Sequence, residues 1–323
     1  MTRWTGLVLA AVLALGIGLV VGPAEVSGTA AIRALAGDGD PITIAIVRQL
    51  RAPRVLLAFL VGGSLAVTGA VLQALVRNPL ADPYLLGLSG GAGLGAVVAI
   101  AAGIGWAWAV PAAAALGALA AIALVYRLAV VAGTVLDTRI LLLGGVVVGA
   151  FCAALVGAIL ALSPADQLRN ALLWLLGGFD AASWPALAVF TVYAVGPLAV
   201  LYRASRSLDL LSLGEDPARF LGADVEPLKR TLYVAASVLT AAAVAVSGII
   251  GFVGLVVPHA IRLLWGHTHR SLLPAAFLLG GTLLAASDAV ARVAFAPLTL
   301  PVGVVTAVVG VPVFALLLRR WAS

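Results

Sequence analysis

Long uncharged apolar stretches alternate with short polar segments along the whole chain. Most of them are long enough for a helix to cross the roughly 30 Å hydrocarbon core of a bilayer. Runs of this length are typical of membrane-spanning helices rather than of a soluble core. The stretches are residues 4–24, 55–76, 84–126, 140–165, 181–202, 231–258, 271–287 and 293–318.

Two of these stretches hold more residues than one spanning helix needs. Residues 84–126 are enough for two helices, with a break near 103–105 or at Pro111. The stretch that starts at residue 231 has glycines at both ends of 248–251. Those glycines predict two helices joined by a tight turn at the outer surface. The pattern therefore predicts an all-α membrane protein with about ten transmembrane helices.

The composition supports this prediction and excludes several other classes. The chain is 63% hydrophobic and 10% charged, with a mean hydropathy of +1.18, unlike a soluble domain. We predict one transmembrane domain over residues 1–323, without an attached soluble domain. The net charge of +6 comes without a basic face, so no nucleic-acid partner is expected. The lone Cys152 cannot form an internal disulfide, and His259, His267 and His269 lack the companions of a metal site.

The basic residues orient the predicted helices. If Arg3 is cytoplasmic and ten helices alternate, thirteen basic residues fall inside and six fall outside. This bias follows the positive-inside rule and predicts two cytoplasmic termini. The apolar stretch after Arg3 is too long for a typical signal peptide, so we predict an uncleaved first span. The exceptions to the rule are Arg48, Arg51 and Arg54, which form a cluster outside.

One segment, residues 203–230, holds ten of the charged side chains. A charged loop of this length must lie in water, either to contact a partner or as a solvated loop without one. The sequence has no G-x-x-x-x-G-K-[ST] motif, and its only lysine, Lys229, lacks a glycine-rich approach. The chain is therefore not expected to bind ATP through such a loop. The glycines of residues 87–95 predict close helix packing instead of a nucleotide turn.

Asp288 is the one serious candidate for an acidic residue inside a span. It lies four residues before Arg292, and the two side chains therefore share a helix face. A buried carboxylate would suit an ion-coupled carrier. The alternative is a structural ion pair with Arg292.

A short internal repeat also points to transport. The sequence AVTG at residues 66–69 recurs as AVSG at 245–248, and prolines follow at corresponding positions. The two copies lie in predicted helices that run in opposite directions. Such an arrangement is typical of the inverted repeats of transporters, and the shortness of the match makes it supporting evidence only.

Six motifs resemble, in order, the FecCD-type permeases of ATP-driven importers, over roughly residues 45–320. They are LRAPR at 50–54, GAVLQAL at 69–75, NPLADP at 78–83, GEDPARFLG at 214–222, IGFVGLVVPH at 250–259 and LPVGVVT at 300–306. The resemblance implies a type II ATP-binding cassette importer permease with ten helices per subunit. It also implies a homodimer whose pathway lies at the dimer interface.

The same resemblance implies partners and a location. The chain would not be an enzyme and would bind no cofactor, because a separate ATPase subunit would bind ATP and Mg. A second copy of the chain, a periplasmic substrate-binding protein and membrane lipid would be the other partners. The protein would be a multi-pass component of the bacterial inner membrane.

The charged segment, about residues 204–229, resembles the cytoplasmic coupling loop between the sixth and seventh helices of these permeases. Pro217 and Gly222 predict a short helix over residues 217–221. In the family, such a helix docks in a cleft of the ATPase subunit. The residues assigned to this contact are Gly214, Glu215, Asp216, Ala218, Arg219, Leu221 and Gly222.

Three outer arginines match family positions that pair with acidic residues of the binding protein. They are Arg51, Arg54 and, at a less similar position, Arg292. Charges at the rim of an interface steer docking and set its register more than they add affinity. The alternative role for these side chains is anchoring to lipid headgroups.

Two further sets of residues match the gates of the family. Relatives often carry a small hydroxyl residue where this chain has Asp137, and Trp174 could equally anchor the chain at the membrane interface. The assigned residues are Asn78, Asp137 and Thr138 at the cytoplasmic end, and Trp174, Gly177 and Gly178 in the periplasmic gating segment.

The predicted pathway has almost no charged lining, which favours a bulky chelate delivered by a binding protein. Ferric siderophores, haem and cobalamin share this permease pattern, and the family's commonest use favours an iron chelate. Two other classes stay open. A secondary transporter of a small apolar or chelate substrate would use an ion gradient and need Asp288. A non-transporting scaffold would tolerate charge reversal at Arg51 and Arg54.

Overall fold

A computed structural model describes residues 2–131, 135–296 and 298–322 of the chain. A π-helical turn, Ile46–Arg51, and a 3₁₀ turn, Pro83–Leu86, interrupt the α-helices, and strands β1 (Val130–Val131) and β2 (Val135–Leu136) pair antiparallel. The α-helices within these ranges are α1 Thr2–Val20, α2 Gly28–Ala36, α3 Pro41–Ala45, α4 Ala52–Val76, α5 Leu88–Ala101, α6 Ala109–Ala129, α7 Thr138–Leu162, α8 Ala165–Leu175, α9 Trp184–Arg203, α10 Ser205–Ser212, α11 Glu215–Phe220, α12 Val225–Ser247, α13 Val253–Trp265, α14 His269–Val293 and α15 Val302–Ala322.

Ten apolar helical segments account for the predicted membrane crossings. Within the described ranges, seven are long and apolar enough to span a bilayer, and α3, the π-helical turn and α4 form one of them as Pro41–Val76. Three shorter apolar segments, Leu88–Ala101, Val253–Trp265 and Val302–Leu316, complete the set. The predicted all-α membrane fold with about ten helices is confirmed. The predicted break in residues 84–126 is also present, between α5 and α6.

The turn between α12 and α13 lies inside the bundle, so the prediction of a turn at the outer surface was wrong. Ile250 in this turn is buried, and its N–H and carbonyl both bond to the Tyr84 hydroxyl at 3.0 Å. Tyr84 belongs to the 3₁₀ turn that follows α4 and precedes α5. Helix α13 has 13 residues and extends only about 20 Å, which is too short to reach the outer surface.

Helix α4 forms the centre of the bundle and packs against α12, α13 and α14. Glycine permits the closest of these contacts: Gly69 of α4 lies against the backbone of Gly254 in α13. The predicted packing role of the glycines in residues 87–95 is confirmed, because Gly91 and Gly95 bring α5 against the backbone of α6. Small residues at helix crossings are the usual means of packing in membranes, where water does not drive association.

Replacing Gly69 with alanine is expected to destabilise the bundle strongly. A methyl group there would lie 1.9 Å from the carbonyl oxygen of Gly254. Because that neighbour is backbone, α4 and α13 would have to separate, at a cost of about 1–3 kcal/mol or more. Thermal unfolding in detergent measures the change.

Gly157→Ala is the matched control for Gly69→Ala. Gly157 lies in α7, where an added methyl would meet no atom within 4 Å. Alanine favours a helix over glycine by up to about 1 kcal/mol, so this variant should be as stable as the parent or slightly more stable. Equal unfolding temperatures for the two variants would contradict the close packing of α4 on α13.

The polar segments lie at the two ends of the bundle. We call one the α11 end: it carries the loop after α4, the β1–β2 hairpin, α10, α11 and the turn before α14. We call the other the α8 end: it carries α2, α3, α8 and the segment between α14 and α15. The sequence predicts that the α11 end faces the cytoplasm.

Candidate functional site

The predicted coupling segment folds as α10, α11 and the first turn of α12. Gly214 and Gly222 flank α11 with φ angles of 123° and 88°, a backbone region that favours glycine. Helix α11 covers Glu215–Phe220, so it begins two residues earlier and ends one residue earlier than predicted. Pro217 lies in its first turn, where its missing N–H leaves no helical hydrogen bond unmade.

The outer surface around α11 is apolar. Phe220 is 92% exposed, and Leu213 and Leu221 are 65% and 61% exposed. Ala218, by contrast, is fully buried and packs into the core. An apolar cluster among charged residues at the water-exposed end of a membrane protein indicates a contact surface. Phe220 was not predicted as a site residue, although a phenylalanine inside a charged segment was the available signal.

The charged residues of α11 are mostly bonded to each other. Arg219 pairs with Asp216 at 3.3 Å and with Glu215 at 3.5 Å. The Glu215 side chain is 26% exposed and that of Asp216 is 83% exposed. Asp216 is therefore the acidic side chain of α11 most available to a partner, and the assigned contact residues stay a prediction.

A buried lysine lies behind α11. The Lys229 ammonium is 0% exposed and contacts Glu215 at 3.1 Å, Glu226 at 2.9 Å and the Leu136 carbonyl at 2.8 Å. Glu226 also accepts a hydrogen bond from the Leu136 N–H at 3.0 Å. This cluster, in which Lys229 joins α11, α12 and strand β2, was not predicted. The spacing of Glu226 and Lys229 on one helix face was its only signal.

The predicted cytoplasmic gate residues lie in two separate surroundings at the α11 end. Asp137 caps α7, because its carboxylate accepts from the N–H groups of Arg139 at 2.8 Å and Ile140 at 3.3 Å. Thr138 is the half-buried first residue of that helix. Asn78 is exposed in the loop after α4 and bonds to the N–H of Leu80 at 2.9 Å. The gate role of all three stays a prediction.

A cavity of about 710 Å³ opens beside Asn78, between α4, α10, α13 and α14. The three histidines of the chain line it, together with Asp209. His269 Nδ1 lies 2.6 Å from Asp209, and the Asp209 carboxylate also accepts the His269 N–H at 2.8 Å. This contact fixes the start of α14 against α10.

Asp82 lies in the loop between α4 and α5 and caps the 3₁₀ turn. Its carboxylate accepts from the Tyr84 N–H at 2.9 Å. Burial raises the pKa of the Asp82 carboxyl to about 6, although the hydrogen bond from Tyr84 opposes that shift. Asp82 was not among the predicted site residues.

Arg54 is the centre of an ion network at the α8 end. Its guanidinium pairs with Asp288 at 2.9 Å and with Asp180 at 2.8 Å. Arg292 also pairs with Asp288, at 3.1 Å. The Asp288 side chain is 0% exposed, whereas that of Asp180 is 70% exposed. The ion pair predicted between Asp288 and Arg292 is therefore present, with Arg54 as a further member.

The other two predicted docking arginines bind the end of α1. Arg51 donates to the carbonyls of Leu19 at 2.9 Å, of Val20 and of Ala24, and Arg292 donates to those of Val21 at 2.8 Å and Gly18 at 2.9 Å. The last carbonyls of a helix lack intrahelical partners and attract cations. Arg51 and Arg292 are 5% and 4% exposed, so Arg54 is the most available of the three. Their docking role stays a prediction.

The predicted periplasmic gating segment packs on the buried α12–α13 turn. Trp174 lies near the C-terminus of α8. The Gly178 N–H donates to the Ser247 carbonyl at 2.8 Å. A side chain on Gly177 would lie 2.5 Å from the Ile249 carbonyl oxygen, and φ at Gly177 is 72°. The segment therefore depends on glycine for its contact with α12 and α13.

Ten apolar helical segments within the described residues, with a polar end that carries α11, make the chain a multi-pass membrane protein. Comparison with known proteins gives the family. A model of the FecCD transport family matches residues 8–320, and the chain belongs to that family. The resemblance predicted from the motifs is thereby confirmed.

Relatives and a solved structure agree with this assignment. The chain is 46% identical over 279 residues to the cobalamin import system permease of Halobacterium salinarum, with 85% of this chain and 73% of the relative covered. It is 41% identical over 275 residues to the hemin transport system permease of Yersinia pestis, with 84% and 82% covered. An inward-facing structure of a metal-chelate type ABC transporter matches with a TM-score of 0.89 and 32% identity over 99% of both chains.

Proposed function

We propose that this chain is the permease subunit of an ATP-binding cassette importer that carries an iron chelate or cobalamin. Two copies would form the pathway at their interface and alternate between outward-open and inward-open states. The observation that carries the proposal is the apolar surface of α11, with Phe220 92% exposed. A surface of this kind at the end of a membrane permease suits the cleft of an ATPase subunit.

The relatives support the class of cargo. The relatives named above import cobalamin and transport hemin, and the matching solved structure is of metal-chelate type. These cargoes are bulky chelates, and an apolar pathway that binds its cargo weakly is suited to them. Among them, a ferric siderophore or haem is our first choice and cobalamin the second.

The proposed partners follow from the two polar ends. The α11 end would face the cytoplasm and the ATPase subunits, which bind ATP and Mg at their own sites. The α8 end would face the periplasm and the substrate-binding protein. Both termini would then be cytoplasmic, and the protein would lie in the bacterial inner membrane among lipids.

Uptake by proteoliposomes tests the proposal. The vesicles would contain this chain and its ATPase subunit, with ATP inside and the binding protein outside. Ferric siderophore, haem and cobalamin would be offered in turn. ATP-dependent accumulation of one of them is expected. Uptake that needs an ion gradient and ignores ATP would overturn the proposal and favour a secondary transporter.

We also propose that Asp180 occupies the position on Arg54 that a carboxylate of the binding protein takes when that protein docks. Asp180 is exposed and occupies one side of the Arg54 guanidinium, which is the side that an acidic partner at the α8 end would approach. Because the Asp180 side chain is 70% exposed, solvent screens this ion pair, which therefore stabilises by only about 1 kcal/mol or less. A partner carboxylate of similar strength can therefore replace it.

Asp180→Asn is expected to strengthen binding of the substrate-binding protein by about twofold to fivefold, since the pair it removes contributes about 1 kcal/mol or less. Binding of the purified protein to the permease complex at low salt measures the affinity. Asp166→Asn is the matched control, because Asp166 is an exposed acid on α8 at the same end. Weaker binding by the Asp180 variant, or equal gains in both variants, would contradict the proposal.

A further inference from the structure

We infer that Lys229 is a positioning residue that transmits movement of α11 to the start of α7, and so joins the ATPase contact to the cytoplasmic gate. This inference rests on the proposed function. Its starting point is one ammonium group that contacts three different segments of the chain. Those segments are α11 through Glu215, α12 through Glu226 and strand β2 through the Leu136 carbonyl.

The hydrogen bonds of Lys229 are all made within this cluster. An ammonium group has three N–H donors, and the three acceptors lie at 3.1, 2.9 and 2.8 Å. The side chain is 0% exposed, so water cannot replace a lost acceptor. A buried charge that loses a partner is strongly unfavourable. Glu215 and Leu136 must therefore move together, because neither can separate from the Lys229 ammonium while the other stays in place.

Leu136 is held at both of its backbone groups. Its carbonyl accepts from Lys229, and its N–H donates to Glu226 at 3.0 Å. The residue is fully buried and pairs with Val130 in the β1–β2 hairpin. A displacement of the Lys229 cluster must therefore carry strand β2 with it rather than only a flexible side chain.

The residue after Leu136 is Asp137, the N-cap of α7, which begins at Thr138. Asp137 caps that helix by accepting from the Arg139 and Ile140 N–H groups at 2.8 and 3.3 Å. A shift of strand β2 thus reaches the first turn of α7, which carries the proposed gate residue Thr138. On the other side, α11 presents Phe220 to the partner. The Lys229 cluster is therefore the polar connection between α11 and the first turn of α7.

We expect loss of the Lys229 contacts to uncouple ATP hydrolysis from substrate import. In the assembled transporter, Lys229→Met fills the same space but makes no hydrogen bonds to α11 or β2. ATP hydrolysis should continue, while substrate imported per ATP hydrolysed should fall by about tenfold, within the range typical of coupling between sites. Proteoliposomes that contain the permease, the ATPase subunit and the binding protein allow both rates to be measured together.

Tyr233→Phe is the matched control. Tyr233 lies one turn further along α12, is also fully buried, and its hydroxyl donates to the Ile122 carbonyl at 3.1 Å. The substitution removes a buried hydrogen bond from the same helix without touching α11 or β2. Its ratio of import to hydrolysis should equal that of the parent. If the methionine variant does not fold, Lys229→Gln replaces it. The two N–H donors of glutamine cannot bond to all three acceptors, so import per ATP hydrolysed should again fall.

A spin label at position 139 gives a second measurement. Arg139 is exposed beside Thr138, and in the parent the distance between labels on the two copies should change when ATP is added. That change should disappear in the Lys229→Met background. Coupled import at the parental ratio in the variant would overturn the inference, as would loss of ATPase binding. Absence of ATP-dependent uptake in the parent would instead overturn the proposed function.

Discussion

Replacing Phe220 with aspartate is expected to abolish ATP-dependent uptake while the transmembrane bundle stays folded. Phe220 is 92% exposed, so its loss removes few contacts within the chain. In the assembled importer, a charge would replace an aromatic anchor in the partner's cleft. Anchors of this kind contribute about 2–4 kcal/mol, which weakens association by roughly 30-fold to 1,000-fold.

Co-purification of the ATPase subunit in detergent measures the effect directly, and uptake measures its consequence. Phe295→Asp is the matched control for association, since Phe295 is a 65% exposed phenylalanine on the segment between α14 and α15 at the α8 end. That variant should retain the ATPase subunit. A Phe220→Asp protein that binds the ATPase and imports at the parental rate would show that α11 is not the contact surface.

Replacing Asp288 with alanine is expected to reduce the free energy of unfolding by about 3–5 kcal/mol, because it leaves buried charges without their partner. Arg54 and Arg292 both pair with this carboxylate, at 2.9 and 3.1 Å. Thermal unfolding in detergent measures the loss. Asp180→Ala is the matched control: it removes the exposed acid from the same Arg54 and should cost at most about 1 kcal/mol.

A substitution of Asp288 also distinguishes an ion-coupled carrier from the proposed ATP-driven importer. An ion-coupled carrier needs the charge of Asp288, so Asp288→Asn would abolish gradient-driven uptake by protein that is still folded. In the proposed importer, the carboxylate is structural, and uptake per folded molecule should stay close to the parental value. Gradient-driven uptake that Asp288→Asn removes without loss of folded protein would favour the secondary carrier.

Much of the fold could be predicted because bilayer thickness constrains helix length directly. Uncharged runs predicted about ten spans. Within the described residues, seven helical segments are long and apolar enough to span a bilayer, and three more are apolar but shorter. The break between α5 and α6 was predicted from the glycines at 103–105 or from Pro111. The position of the α12–α13 turn was not predictable in this way. Run length says where an apolar stretch divides, but not how deep in the bundle the division lies.

The candidate site could be predicted only in part. Pro217 and Gly222 predicted a short helix in the charged segment because they restrict the backbone locally. The partners of its side chains are distant in sequence: Lys229 bonds to Leu136, and Arg54 to Asp288. Spacing along one helix does not encode such pairs, so the Lys229 cluster and the inward direction of Arg51 were missed.

By itself, the sequence determined the membrane class, the number of spans, the short helix in the charged segment and the resemblance to the family. These features depend on local composition, on backbone restrictions at glycine and proline, and on motifs read in order. Only the tertiary structure decided which polar groups face inward. Helices that are apolar on all sides carry no periodic signal for their orientation. The few charges among them are positioned by distant partners that satisfy them in a medium without water.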